Sequence, residues 1–166
     1  MSKGLDIRPF QAGDANGIRD VIVPIQTREF GVPITFEDQP DLTVIAGFYQ
    51  HGAGDFWVAE SDGQIIGTIS LLDIGDGAAA LRKMFVHADW RGREHGTAQR
   101  LLDTLMDHAR GTSLATIYLG TTALFIAAHR FYEKNGFELI DESQLPSSFP
   151  KMAVDTRFYK FDLRDK

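Results

Sequence analysis

FWVAE and IIGTISLL flank Ser61-Asp62-Gly63-Gln64 in a chain of 166 residues. Asp-Gly between two apolar, β-branched runs is a strong short-range hairpin signal, since both central positions of the tight turn need positive φ. This turn commits the middle of the chain to antiparallel pairing. AAALRKMFV, residues 78–86, follows as a third strand candidate, although its alanines blur where it starts.

Around this hairpin the pattern is mixed. LDIRPF reads as an opening strand. From Asp14, the candidate N-cap, Ile18, Val21, Ile22 and Ile25 recur at helical spacing, and Pro24 should end or kink that helix. REFGVPITFEDQP is loop-like, and DLTVIAGFYQ resumes as a short helix after Pro40. Beyond residue 96, Ala98, Leu101, Leu102, Leu105, Met106 and Ala109 form one apolar stripe of a long helix. ATIYLGT is a buried strand, and a helix from about Leu124 to Asn135 ends at Gly136, a residue suited to the left-handed C-cap. FELI and TRFYKFDL are closing strands. Early hairpins followed by strand–helix–strand units predict an α/β (α+β mixed) single domain over residues 1–166. Its sheet is mixed and mostly antiparallel, with helices on both faces.

WRGREHGTAQRLL joins the third strand candidate to the long helix. The first-turn N–H groups of a helix lack intrahelical partners and sit at the positive end of its dipole. Glycine lets a ligand approach the main chain, and Arg91 and Arg93 can add charge-assisted hydrogen bonds. Together they describe a phosphate or pyrophosphate cradle; a solvated loop before a core helix is the plainer alternative. GxxxxGK[ST] and GxGxxG are both absent, which leaves nucleoside triphosphates and dinucleotides without support.

Composition narrows the classes further. A net charge of −6 and a pI near 5.3 disfavour nucleic acid as a partner. The absence of cysteine excludes disulfides, thiolate catalysis and sulfur-ligated zinc. The five histidines lack paired metal spacing, so no metal is expected; His129 reads as a partly exposed helix residue and His95 as a loop residue near the phosphates. MSKGLDIRPF has no apolar signal core and no apolar run approaches 18 residues, so the expectation is a cytoplasmic protein without a membrane partner.

MFVHADWRGREHGTAQRLL, followed about thirty residues later by AAHRFYEKNGFELI, resembles the GNAT superfamily of N-acetyltransferases. The family's signature is Arg/Gln-x-x-Gly-x-Gly/Ala, and Arg93-x-x-Gly96-x-Ala98 satisfies it; the register starting at Arg91 puts Glu94 where glycine belongs. The valine-to-arginine spacing, Val86 to Arg93, is about two residues longer than the family's usual one. IRPFQAGDANGIRDVI and FWVAESDGQIIGTISLL match the family's opening elements, so the likeness spans roughly residues 5 to 140.

The resemblance implies a sheet with a splayed parallel strand pair and acetyl-CoA as co-substrate. Pantetheine would lie between Met84-Phe85-Val86 and Tyr118-Leu119-Gly120, pairing with the main chain of the first as an added strand does. Pyrophosphate would sit on Arg91, Gly92, Arg93, Glu94, His95, Gly96, Thr97 and Ala98. The family asparagine six residues before Phe131 is Phe125 here, which alters one pantetheine contact.

Acyl transfer to an amine, as the resemblance implies it, proceeds directly in a ternary complex. It needs a neutral amine, a donor for the tetrahedral oxyanion and a proton for the departing thiolate. Tyr132 matches the family's acid, and a main-chain N–H around Phe85 or Val86 would serve the oxyanion. Glu29 is the candidate base, with Glu60, His87 or a water chain as alternatives. The acceptor pocket falls on REFGVPITFEDQPDL, whose acidic and aromatic residues suit a cationic amine of a small molecule or a peptide. The C-terminal LPSSFPKMAVDTRFYKFDL can wall that pocket, supply the edge of a homodimer, or simply pack in the core. Two rival functions are a transferase for another acyl-CoA and a non-catalytic acyl-CoA sensor or structural subunit.

Overall fold

The computed structural model describes residues 4–92 and 94–164. Seven strands form one sheet in the order β1-β2-β3-β4-β5-β7-β6. They are β1 Asp6–Pro9, β2 Asp55–Ser61, β3 Gln64–Gly75, β4 Ala78–Val86, β5 Thr116–Thr121, β6 Glu138–Ile140 and β7 Arg157–Asp162; the helices are α1 Ala15–Pro24, α2 Ile45–Tyr49, α3 Thr97–Arg110 and α4 Ile126–Lys134. Every pair is antiparallel except β4 with β5. The element order is the one the sequence predicts. The β2–β3 turn falls at Asp62 and Gly63, with φ of 52° and 77°.

Alternation along β2 builds two cores. Trp57 and Ala59 join Leu101, Leu102, Leu105 and Tyr132 on the face covered by α3 and α4. Phe56 and Val58 join Ile18, Ile22, Ile45 and Tyr49 under α1 and α2. Leu101, Leu102 and Leu105 are fully buried, each stabilising the α3 face by about 1.5–3 kcal/mol.

Three local details sharpen the expectation. Asp14 stands at the N-cap position of α1 but its side chain makes no capping bond to it; a 3-10 turn over Ala12–Asp14 precedes the helix, and the carboxylate instead accepts from both terminal nitrogens of Arg8 and from the Gln11 N–H at 2.8–2.9 Å. Pro24 closes α1, yet the chain stays helical and widens into a π turn over Ile25–Glu29, where Phe30 N–H reaches the Ile25 carbonyl at 3.2 Å. β7 is no edge strand: it lies between β5 and β6, with Phe158 and Tyr159 buried. No helix among the described residues is long and apolar enough to cross a membrane.

Candidate active site

β4 and β5 run parallel for three rungs, Ala78↔Thr116 to Ala80↔Tyr118, and no rung follows. A bulge in β4 lies at this parting. Thr68 faces Phe85 while Ser70 faces Arg82, so β4 carries one extra residue, and Lys83 takes φ of +54°. Two buried hydroxyls fix the bulge: Thr68 Oγ1 donates to the Lys83 carbonyl at 2.6 Å and Ser70 Oγ to that of Arg82 at 2.7 Å. The bend turns the end of β4 away from β5.

The gap opens into a cavity of about 360 Å3 lined by Leu81–Val86 of β4, Gly120 and Thr121 of β5, and Tyr132 of α4. Ile25, Gln26, Phe30, Val32 and Ile34 close one side; Phe149, Met152, Val154 and Asp155 close another, so the chain preceding β7 does wall the cavity. Phe125 stands edge-on to Phe30 and Phe85, with centroids 4.8 and 6.1 Å apart.

Tyr132 is 5% exposed, and its hydroxyl lies 3.8 Å from Met84 Sδ across the gap. Burial, with Tyr159 adding to it, pushes this phenol well above its usual range. It therefore stays protonated at neutral pH, as a proton donor must.

At the other end of the gap, Gly92 and Gly96 adopt φ of +103° and +63°, and α3 starts at Thr97. No side chain among the described residues caps α3, and the buried Thr97 hydroxyl finds no partner there. Open first-turn amides plus an orphaned hydroxyl suit an anionic ligand. Arg93 lies outside the described residues. Arg91 donates through Nε to the Val86 carbonyl at 2.8 Å and grips Glu29 through both terminal nitrogens. Glu94 is exposed, Ala98 lines the cavity and the His95 ring lies tilted against Trp90, centroids 5.2 Å apart.

Glu29 is thus brought to the cradle, not to the cavity wall. The Arg91 guanidinium holds its carboxyl below the usual carboxylate range. Glu60 accepts from Arg8 at 2.8 Å, and His87 Nδ1 accepts the Asp89 N–H at 3.1 Å; neither lines the cavity. His129 is buried, against the expectation of partial exposure: its Nε2 sits 2.9 Å from the Thr122 carbonyl and ties α4 to the end of β5.

Polar side chains the sequence did not single out, Gln26, Arg82 and Lys83 among them, also line the cavity. Lys83, its side chain 3% exposed, reaches Gln39 Oε1 at 2.7 Å and Asp41 at 3.6 Å. Gln39 pairs with Gln26 through both amide groups, and Tyr49 donates to Asp41 at 2.6 Å. The adjacent Arg82 and Lys83, two cations in a strand otherwise apolar, are the one sequence signal that this strand is irregular. Asp155 had no such signal.

An acetyltransferase (GNAT) domain model matches residues 52–139. The chain belongs to the GNAT acetyltransferases. It is 35% identical over 133 residues to the N-acetylaspartate synthetase of Xenopus tropicalis, covering 75% of this chain and 48% of that protein. The chain spans about half the length, or less, of the N-acetylaspartate synthetases it matches. A GNAT-family acetyltransferase from Staphylococcus aureus Mu50 superposes with a TM-score of 0.93 at 37% identity, over 97% of this chain and 100% of that one. The fold is also that of Neisseria gonorrhoeae N-acetylglutamate synthase complexed with coenzyme A and N-acetyl-glutamate (TM-score 0.74, 18% identity, 99% of this chain and 36% of that one).

Proposed function

We propose that the protein transfers the acetyl group of acetyl-CoA directly to a primary amine, in a ternary complex with no acyl-enzyme. Pyrophosphate binds the amides of residues 92–98 and pantetheine follows β4 down the gap, with the β4 main chain near Phe85 and Val86 serving the oxyanion. Tyr132 supplies the thiolate proton. The observation that carries this reading is the buried Tyr132 hydroxyl facing Met84 across the gap between β4 and β5. The amine enters from the side walled by residues 25–34 and 149–155.

Small molecules and peptides both offer such amines. The relatives named for N-acetylaspartate and N-acetylglutamate synthesis support trying acidic amino acids first. A cytoplasmic location suits a reaction that consumes acetyl-CoA.

The test is release of coenzyme A thiol by purified protein given acetyl-CoA with amino acids, polyamines, aminoglycosides or peptides. Acceptor-dependent release is expected. Tight coenzyme binding with no reacting acceptor would instead favour a sensor or structural subunit.

A further inference from the structure

Asp155 is the one carboxylate among the described residues that line the cavity. It lies in the chain leading into β7, where Phe158 pairs with Gly120 of β5. Its carboxyl group packs directly over Gly120: a Cβ on that glycine would stand 2.7 Å from Oδ2 and 2.9 Å from Cγ. Gly120 is two residues beyond the last rung joining β5 to β4. The carboxylate therefore sits on the wall of the gap.

One of its oxygens is fixed and the other is not. Oδ2 accepts the Met152 N–H at 3.0 Å, and the Asp155 N–H donates to the Met152 carbonyl at 3.0 Å. Oδ1 has no hydrogen bond among the described residues.

We propose that Asp155 is the general base, binding the acceptor's ammonium through Oδ1 and taking its proton before attack. This rests on the acetyl-transfer reading above. The surroundings agree. Burial raises the affinity of Asp155 for a proton, outweighing the Met152 bond and the cations that face it, Arg82 and Lys83 from β4 and Lys151 from its own segment. Glu29 lacks both properties, since Arg91 occupies its carboxylate.

The step balances as follows. One nitrogen proton passes to Asp155 and on to solvent. The freed lone pair forms the C–N bond at the thioester carbon. The C–S bond then breaks with its electron pair on sulfur, which takes the phenolic proton of Tyr132. The second nitrogen proton restores the phenol, leaving amide, thiol and one released proton.

An aspartate closing a four-residue turn is also an ordinary structural device, and asparagine does that job equally well. Asp155→Asn therefore separates the two roles. Wild type and variant are compared for acetyl-CoA affinity by calorimetry, and for kcat/KM from pH 6 to 10 with L-aspartate, L-glutamate, spermidine and a glycyl peptide as probes. The variant should bind acetyl-CoA within about twofold of wild type and lose on the order of 10²-fold in kcat/KM at pH 7. The deficit should shrink as pH rises and the amine deprotonates unaided. Turnover by Asp155→Asn within about threefold of wild type, with an unchanged pH profile, overturns the assignment while leaving acetyl transfer intact. Acetyl-CoA bound by wild type with none of the four amines acetylated overturns it too. Failure of wild type to bind acetyl-CoA removes the transfer reading itself.

Discussion

Arg91 joins two parts of the site that are far apart in sequence: its Nε is bonded to the Val86 carbonyl at the end of β4, and its terminal nitrogens hold Glu29 on the π turn. The cradle for the coenzyme and the loop that walls the acceptor side are thereby tied by one side chain. Both partners are more than one-third exposed, so the pair itself adds only about 0–1 kcal/mol to stability. Arg91→Ala should leave thermal stability nearly unchanged but weaken acetyl-CoA binding by roughly tenfold, the scale of one charged hydrogen bond lost from a diphosphate. Glu29→Gln should keep turnover within a few-fold. A 10²-fold loss in that variant would return Glu29 to the role of base.

The Tyr132 hydroxyl meets no strong acceptor, only Met84 Sδ at 3.8 Å. Removing it therefore breaks little in the resting protein. Tyr132→Phe should retain the fold and bind acetyl-CoA as wild type does, while turnover falls by about 10²-fold, the usual scale of one proton transfer. Steady-state kinetics beside calorimetry separate the two effects, and undiminished turnover would strike the phenol from the mechanism.

What the sequence discloses is what is local. The Asp62-Gly63 turn, the existence of β4 and the α3 stripe follow from neighbouring residues, and so does the loop before α3. The base candidate and the polar side of the cavity do not. Asp155 meets Gly120 across 35 positions, and Lys83 meets Gln39 across 44. Such pairs are set by how β7 inserts between β5 and β6 and by where α1 gives way to the π turn, neither of which hydrophobic periodicity encodes. Glu29 illustrates the converse. Its neighbourhood in the chain suggested an acceptor pocket, and only the fold brings Arg91 to its carboxylate.

Gly96 occupies the left-handed region at the mouth of α3, where a side chain both strains the backbone and fills the approach to the first-turn amides. A β-branched residue there should cost about 1–2 kcal/mol of stability. Gly96→Val should accordingly lower the melting temperature a few degrees and weaken acetyl-CoA binding by at least tenfold, with Tyr132 untouched. Unaltered affinity in calorimetry would show that the pyrophosphate is held elsewhere.

Lys83 supplies a stability signature that is independent of activity. Burial holds its pKa down at about 8 from an ordinary 10.5, with Asp41 acting in the opposite direction and Arg82 reinforcing the depression. Below pH 8 the ammonium is charged in folded and unfolded chains alike, and the folded protein bears the cost of its desolvation. Between about 8 and 10.5 the unfolded chain binds the proton and the folded one does not, so stability contributed at this site must rise with pH. At about 1.4 kcal/mol per pKa unit, the gain across that window is up to roughly 3 kcal/mol. Lys83→Met removes the titrating group. Whatever that variant loses through the broken bond to Gln39, its urea-unfolding free energy should lack this rise, so the wild-type value minus the variant's should increase from pH 8 to 10. Parallel pH dependences would mean that Lys83 keeps its proton in the folded protein throughout, held by Asp41 and Gln39 more firmly than burial opposes it.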